Sequence, residues 1–349
     1  MALNRNGAPQ GSVSKRTVTA KGDIIAATAN AVVDRLAVGA DGTTLVANSS
    51  ASTGVSWAGN QAAGKNTFIN GGFDIWQRGT SFSIAFGTPQ YTADRWTNYF
   101  NVAGTVTQDT SLVQTGQKYG LRVTASANSA NNAMYQVVET FNTLPLAGQT
   151  VTLSAWVAGT SGKTPNVGID YSTNTDDTLL GTYTTITGTA IKSVTSSGTF
   201  QQVVYNFAIP STAKTLRVAL YSNVMNNTDY LTWSRAQLEL GSTATTFTRA
   251  GGTLQGELAA CQRYYYQPTT GAYWNGQVVT TTTYYVMVYF PVAMRTAPTI
   301  TNTSIVAGNF PATASSAAFA GTTSFANTRT ANGTGAGGFA DTYTASAEL

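Results

Sequence analysis

Histidine is absent from this 349-residue chain, and cysteine occurs once, at Cys261. The first absence excludes Ser-His-Asp and Cys-His catalysis, imidazole metal sites and the usual pH switch. The second excludes an intrachain disulfide and a thiolate metal site. Charge is scarce too, at 10% of residues against the usual quarter. The net charge of +4 is small and no Lys/Arg-rich run occurs, so nucleic acid is not an expected partner. No 18 consecutive apolar residues occur, so no helical membrane span is expected. The opening MALNRNGAPQGSVSKR has no apolar stretch of the kind a secretory signal carries.

Small polar residues, Gly and aromatics fill the space, with 17 Tyr, 14 Phe and 42% hydrophobic residues. That mixture suits strands and turns and disfavours long surface helices. It also provides enough apolar matter for a packed core. Period-2 alternation recurs in LRVTA (121–125), AMYQVVET (133–140), TVTLSAWVAG (150–159), NVGIDYST (166–173), TFQQVVYNFAI (199–209) and LRVALYSN (216–223). In the third, Val151, Leu153, Ala155 and Val157 share one face. Such runs, separated by turns such as Leu146–Gln149, predict an antiparallel sandwich.

Before these runs, residues 21–59 hold apolar pieces too short to bury a face within one chain, with Asp41-Gly42 as a hairpin signal. After Arg249, Leu254, Leu258, Cys261 and Tyr265 fall at helical spacing, which predicts a short helix with Cys261 as a small buried hydrophobe. Residues 283–301 read as strand, and 302–349 as Ala/Thr/Ser/Gly-rich strands anchored by Phe310, Phe319, Phe325, Phe339 and Tyr343.

Several motifs carry a resemblance. The opening Asn70-Gly71-Gly72-Phe73, with Trp76 and Asp94-Arg95-Trp96, and the closing Gln237-Leu238-Glu239-Leu240-Gly241, are similar to the ends of a carbohydrate-binding-module-like jelly roll. Such jelly rolls occur in bacteriophage tail fibre and receptor-binding proteins. Lys21-Gly22-Asp23, Asp34-Arg35-Leu36 and Gly54-Val55-Ser56-Trp57 resemble a tail-fibre connector. Phe290-Pro291-Val292 with Met294-Arg295 and Pro298-Thr299 resembles a fibre C-terminal strand module.

The expected fold class is therefore all-β: an intertwined N-terminal connector, a central jelly-roll β-sandwich, a short helix and a C-terminal β-domain, in a trimeric fibre. The expected domains are a tail-attachment arm (1–20), a trimeric connector (21–64), the sandwich (65–250), a helical junction (251–267) and a C-terminal β-domain as candidate receptor-binding tip (268–349). The resemblance implies a homotrimer, phage tail or baseplate proteins bound through the N-terminus, and a host polysaccharide or lipopolysaccharide as receptor. It also implies location on a virion released by lysis.

Phe73, Trp76, Trp96, Trp156 and Trp233 are expected in the core, Asp94 and Arg95 as a local charge pair, and Glu239 in a structural role. Aromatic rings stack on pyranose faces while amides and carboxylates fix hydroxyls. On that chemistry the candidate glycan residues are Tyr99, Tyr171, Tyr273, Trp274 and Tyr284, with Phe100, Tyr230, Tyr285 and Tyr289 as further aromatics. The alternative for each is packing. No cofactor and no metal site are expected, although the Asn174–Asp177 oxygens offer a conceivable structural Ca²⁺ site. No catalysis is expected. The competing readings are a tailspike-type depolymerase, which uses paired carboxylates, and a structural spacer of the tail.

Overall fold

A computed structural model describes residues 17–30, 32–39, 43–49, 51–59, 65–128 and 130–349. They divide into two units, residues 1–62 and 63–349.

The first unit holds two antiparallel hairpins. Strand β1 (Ile24–Ala29) pairs with β2 (Val32–Leu36), and β3 (Thr43–Ala47) with β4 (Val55–Gly59). Asp23 accepts the backbone N–H groups of Thr19 and Ala20 and pairs with Arg35 at 3.2 Å. None of the unit's described apolar residues is buried, and Ile25, Val32, Val33, Val38 and Leu45 are exposed. The Asp41-Gly42 hairpin signal, residues 1–16 of the expected arm and residues 61–64 before the sandwich lie outside the described residues.

The second unit begins with the sandwich. Its strands are β5 (Ser81–Ile84), β6 (Gln90–Tyr91), β7 (Thr97–Phe100), β8 (Gly104–Asp109), β9 (Gly120–Ala125) and β10 (Ala130–Val138). A helical turn, α1 (Thr140–Thr143), leads to β11 (Thr150–Gly159), β12 (Pro165–Ser172), β13 (Thr184–Ile186), β14 (Thr189–Lys192), β15 (Gln201–Ala208), β16 (Thr215–Met225) and β17 (Tyr230–Leu240). One sheet runs β13-β12-β16-β10-β7-β6 and the other β14-β15-β11-β17-β9-β8-β5, every ladder antiparallel. The alternating runs supply the core: Val151, Leu153, Ala155 and Val157 from one sheet meet Met134, Val138, Val167, Ile169, Leu216, Val218 and Leu220 from the other.

Phe73, Trp96 and Trp233 are in this core and Trp76 packs against it. Trp156 is a correction. It occupies an even position of β11, whose odd positions face inward, so it stands half-buried on the outer face of the seven-stranded sheet. Asp94 and Arg95 are a second correction. Arg95 takes a positive φ of 70°, which separates the neighbouring side chains. Asp94 pairs with Arg78 at 3.6 Å, and Arg95 with Glu348.

The Asn-Gly-Gly-Phe opening is a structural knot. Asn70 itself has φ 60°, donates its amide to the carbonyls of Ile75 and Asp94, and accepts from Ile75 N–H and from Trp96 Nε1 through its own carbonyl. Glu239 is buried and accepts from Gln237 Nε2, Thr245 N–H and the Thr245 hydroxyl, with Lys65 Nζ at 3.3 Å. It is structural, as expected, and the nearby cation is an ammonium.

Helix α2 (Leu254–Gln262) is capped by the Thr253 hydroxyl, which accepts Gly256 N–H. Cys261 is fully buried, and burial pushes its thiol well above the ordinary value. Leu254 differs from expectation: it is exposed, while Glu257 is buried and accepts the N–H groups of Asn70 and Gly251. The helix is thus fastened to the sandwich by a carboxylate as well as by apolar contact.

The C-terminal domain contains β18 (Tyr265–Tyr266), β19 (Ala272–Val278), β20 (Thr283–Tyr289), β21 (Thr299–Gly308), β22 (Ser316–Ala318), β23 (Ser324–Thr330) and β24 (Gly335–Ser346). Strand β24 pairs with β18, β19 and β21, while β20-β23-β22 form a second sheet. Phe290, Phe325 and Tyr343 pack at one end, and Val278, Phe310 and Phe339 at the other. The domain is bolted to the sandwich: Glu348 bridges Arg78 and Arg95, Tyr91 Oη donates to Leu349 O, and Arg263 pairs with Glu139.

Candidate functional site: a tyrosine trough on the six-stranded sheet

Alternation leaves one face of each strand outside. On the six-stranded sheet, Met134, Val218, Val167 and Phe100 face in. Their neighbours must face out, and the ladders align them in rows. Tyr99, Ala133, Tyr221 and Asn166 form one row across β7, β10, β16 and β12. Thr97, Tyr135, Ala219 and Gly168 form the next. Val137, Arg217, Asp170 and Thr185 form a third, ending on β13.

These rows set large rings beside very small residues, and we call this face the tyrosine trough. Three tyrosines stand half-buried above Ala133, Ala219 and Gly168, whose side chains occupy almost no volume. A Cβ built on Gly168 would touch Tyr221 Cε1 at 3.5 Å, so the Tyr221 ring overlies this glycine. Tyr99 and Tyr221 are two strands apart, about 10 Å. Tyr135 lies between them, one row along.

The third row is a polar rim. Arg217 donates from Nε and Nη2 to Asp170 Oδ2 at 3.0 and 2.7 Å, and from Nη1 to Leu179 O at 2.9 Å. Its guanidinium lies 4.4 Å from the Tyr183 ring centroid and 5.6 Å from that of Tyr135. These contacts tie the 173–183 loop to the sheet. Burial raises the Tyr135 phenol above its ordinary value, with Arg217 opposing. Burial also raises Tyr221, with Tyr205 and Asp170 adding to it. Both phenols therefore stay protonated, and can donate as well as accept, throughout the neutral range.

The loop residues Asn174, Asp176 and Asp177 are held by protein groups. Asp177 Oδ2 accepts from the Ser172 hydroxyl and Asn174 Nδ2, and Asp176 accepts Thr140 N–H and faces Arg295 at 3.5 Å. Among the described residues no three His, Cys, Asp or Glu side chains gather where a metal ion would sit.

Of the sequence-derived glycan candidates, the structure places Tyr99 in the trough. Tyr171 points the other way, against the sandwich core, and Phe100 is fully buried. Tyr230 lies under Arg122, 4.4 Å away, beside the opposite sheet. In the C-terminal domain Tyr273 is exposed, while Trp274 and Tyr284 pack on each other at 4.9 Å and on Phe310. Tyr273 and Trp274 are successive strand residues and so face opposite ways. Tyr135 and Tyr221 were not among the candidates. Their strands carry apolar residues on both faces, so alternation alone does not say which face is outside. The tyrosine two strands from Tyr99 becomes visible only through register.

No curated protein matches the chain. Among solved structures, the C-terminal family 22 carbohydrate binding module of Clostridium thermocellum Xyn10B shares 18% identity, over 52% of this chain and 99% of that one, at a TM-score of 0.33. The CBM22-1 xylan-binding domain from Paenibacillus barcinonensis Xyn10C shares 10%, over 53% and 100%, at 0.33. The enzymatically active domain of bacteriophage CBA120 tailspike protein 4 shares 12%, over 51% of this chain and 22% of that one, at 0.31, so the present chain spans less than a quarter of that domain. Residues 65–229, most of the sandwich, match the family model described as "Carbohydrate binding domain", and it is to such domains that the sandwich is similar in sequence.

Proposed function

We propose that this protein is a tail fibre component of a bacteriophage that binds a host-surface glycan through the tyrosine trough. The carrying observation is the trough itself: Tyr99, Tyr135 and Tyr221 over Ala133, Ala219 and Gly168, rimmed by Arg217 and Asp170. Rings present flat apolar faces, and the rim and phenols supply hydroxyl partners, which is the chemistry a sugar needs. The sequence match of residues 65–229 to carbohydrate-binding domains supports the same reading.

The fibre context rests on the connector and C-terminal motifs and on the first unit. Hairpins with no buried apolar residue among the described residues gain stability when copies pack together, and a homotrimer supplies that packing. In this reading the N-terminal region joins the tail or baseplate and the second unit faces the host. The molecule has no catalytic role and needs no cofactor. Histidine is lacking, Cys261 is sealed in the core, and the acids beside the trough serve ion pairs and loop turns.

The test is retention of the full chain on immobilised host envelope polysaccharide, with reducing-end release assayed in parallel. Retention without release supports the proposal. Release of sugar that disappears on replacing one Asp or Glu establishes a depolymerase in its place.

A further inference from the structure

A concavity lies in the C-terminal domain, in the three-stranded sheet β20-β23-β22. It is a depression of ≈ 260 Å³ lined by four threonines (283, 313, 328 and 330) and Ser316, with Pro311, Ala314 and Arg329 completing it. That volume is just below the ~300 Å³ at which small-molecule pockets usually begin, which leaves room for about one sugar ring. Thr283 faces Thr330 across the ladder, and Thr328 is flanked by Tyr285 on β20 and Ser316 on β22. Cross-strand neighbours share a face, so Tyr285, 64% exposed, stands beside Thr328 on the same face as the depression, outside its lining. Met287 and Tyr289 continue the exposed stripe along the same strand.

The depression is polar yet carries no net charge. Arg329 is neutralised by Asp341, 2.6 Å away and fully buried, and is further engaged by the Ser315 and Ser304 hydroxyls and Pro311 O. Its donors are largely spent inward, so it does not present a cation to an acidic ligand. What faces outward is a set of hydroxyls that both donate and accept, beside an aromatic ring. Thr328 Oγ1 donates to Ser316 O at 3.0 Å, which leaves its lone pairs available.

We propose that this depression is a second glycan site, for an uncharged sugar residue stacked on Tyr285 and hydrogen-bonded by Thr283, Thr313, Thr328 and Thr330. It is built from other strands and another domain than the trough, and does not depend on it. Two weak sites on one rigidly bolted unit would bind a polymeric glycan with avidity beyond either alone.

The experiment uses the full chain on an array of neutral oligosaccharides of xylose, glucose, galactose and mannose, with acidic oligosaccharides alongside. The background variant Tyr99→Ala/Tyr135→Ala disables the trough. The expected result is residual binding to a neutral oligosaccharide by this background. Adding Tyr285→Ala should reduce it about fivefold, as loss of one aromatic stack does, and the near-isosteric Thr328→Val should also weaken it. The proposal is overturned if the background binds no neutral oligosaccharide, if Tyr285→Ala and Thr328→Val leave its binding unchanged, or if acidic oligosaccharides are preferred. A fall in oligomeric mass with Tyr285→Ala also overturns it, by making this face an interface between copies. Failure of the trough reading looks different: Tyr99→Ala/Tyr135→Ala then changes nothing, whatever Tyr285→Ala does.

Discussion

At the residue scale, the proposed function rests on tyrosines whose neighbours are very small. Replacing Tyr135 or Tyr221 by Ala is expected to weaken glycan binding by about 1 kcal/mol each, roughly fivefold, because one stacking face is lost. The far-ultraviolet circular dichroism should not change, since both rings lie outside the core. A titration calorimetry series against a retained polysaccharide checks this. Part of the site was legible in the sequence: Tyr99 falls on the face opposite Phe100, and Trp96, Phe73 and Trp233 announced themselves as core. Tyr171 misled because Val167 and Ile169 share its inward face. The Asp94-Arg95 neighbours misled because a positive φ turned them apart, a backbone state that no side-chain pattern encodes.

The junction residues make a pH prediction. Burial, with Glu139 adding and Arg95 opposing, pushes the Tyr264 phenol up to about 12. The Arg95 guanidinium lies 3.6 Å from its ring centroid. A folded-state value raised above the ordinary 10.0 means that the contribution to stability is fully present below pH 10. It is lost as pH rises through about 12. Tyr264→Phe keeps the ring and removes the ionisation. Urea unfolding at a series of pH values between 9 and 12 should show a smaller loss of stability for the variant than for the parent; equal losses would assign alkaline unfolding to other groups.

At the element scale, strands were more legible than their neighbours. Each alternating run became a strand, and the core face of β11 was plain from its odd positions. The pairing order was not, because sheet neighbours such as β10 and β16 are distant in sequence and are chosen by packing. Helix α2 was visible from its spacing, yet its buried face includes Glu257. An acid in an apolar stripe reads as an error until the backbone donors of Asn70 and Gly251 are in view. Two substitutions probe this helix. Thr253→Ala removes the cap on Gly256 N–H and should cost about 1 kcal/mol. Gly256→Ala should cost more, since a Cβ there would run into the Gly251 backbone. Thermal denaturation of both variants ranks the two effects; a Gly256→Ala protein as stable as the parent would show that this close approach is not needed.

At the scale of the whole molecule, the two units differ in kind. The second has extended cores and is held together by Glu348, Arg78, Arg95, Glu139 and Arg263. The first, in its described residues, has hairpins and no buried apolar residue. The proposed homotrimer predicts that the full chain sediments at three times the chain mass at micromolar concentration, and that a chain starting at Lys65 still binds glycan. A monomeric full-length chain would contradict it.

The most direct measurement of the central claim is affinity of the full chain for immobilised host envelope polysaccharide. It compares the parent with the folded triple variant Tyr99→Ala/Tyr135→Ala/Tyr221→Ala. The tyrosine trough predicts strong retention of the parent and retention reduced on the order of a hundredfold for the variant, about 1 kcal/mol per ring. Equal retention of the two proteins would contradict the claim and remove the six-stranded sheet as the glycan-binding face.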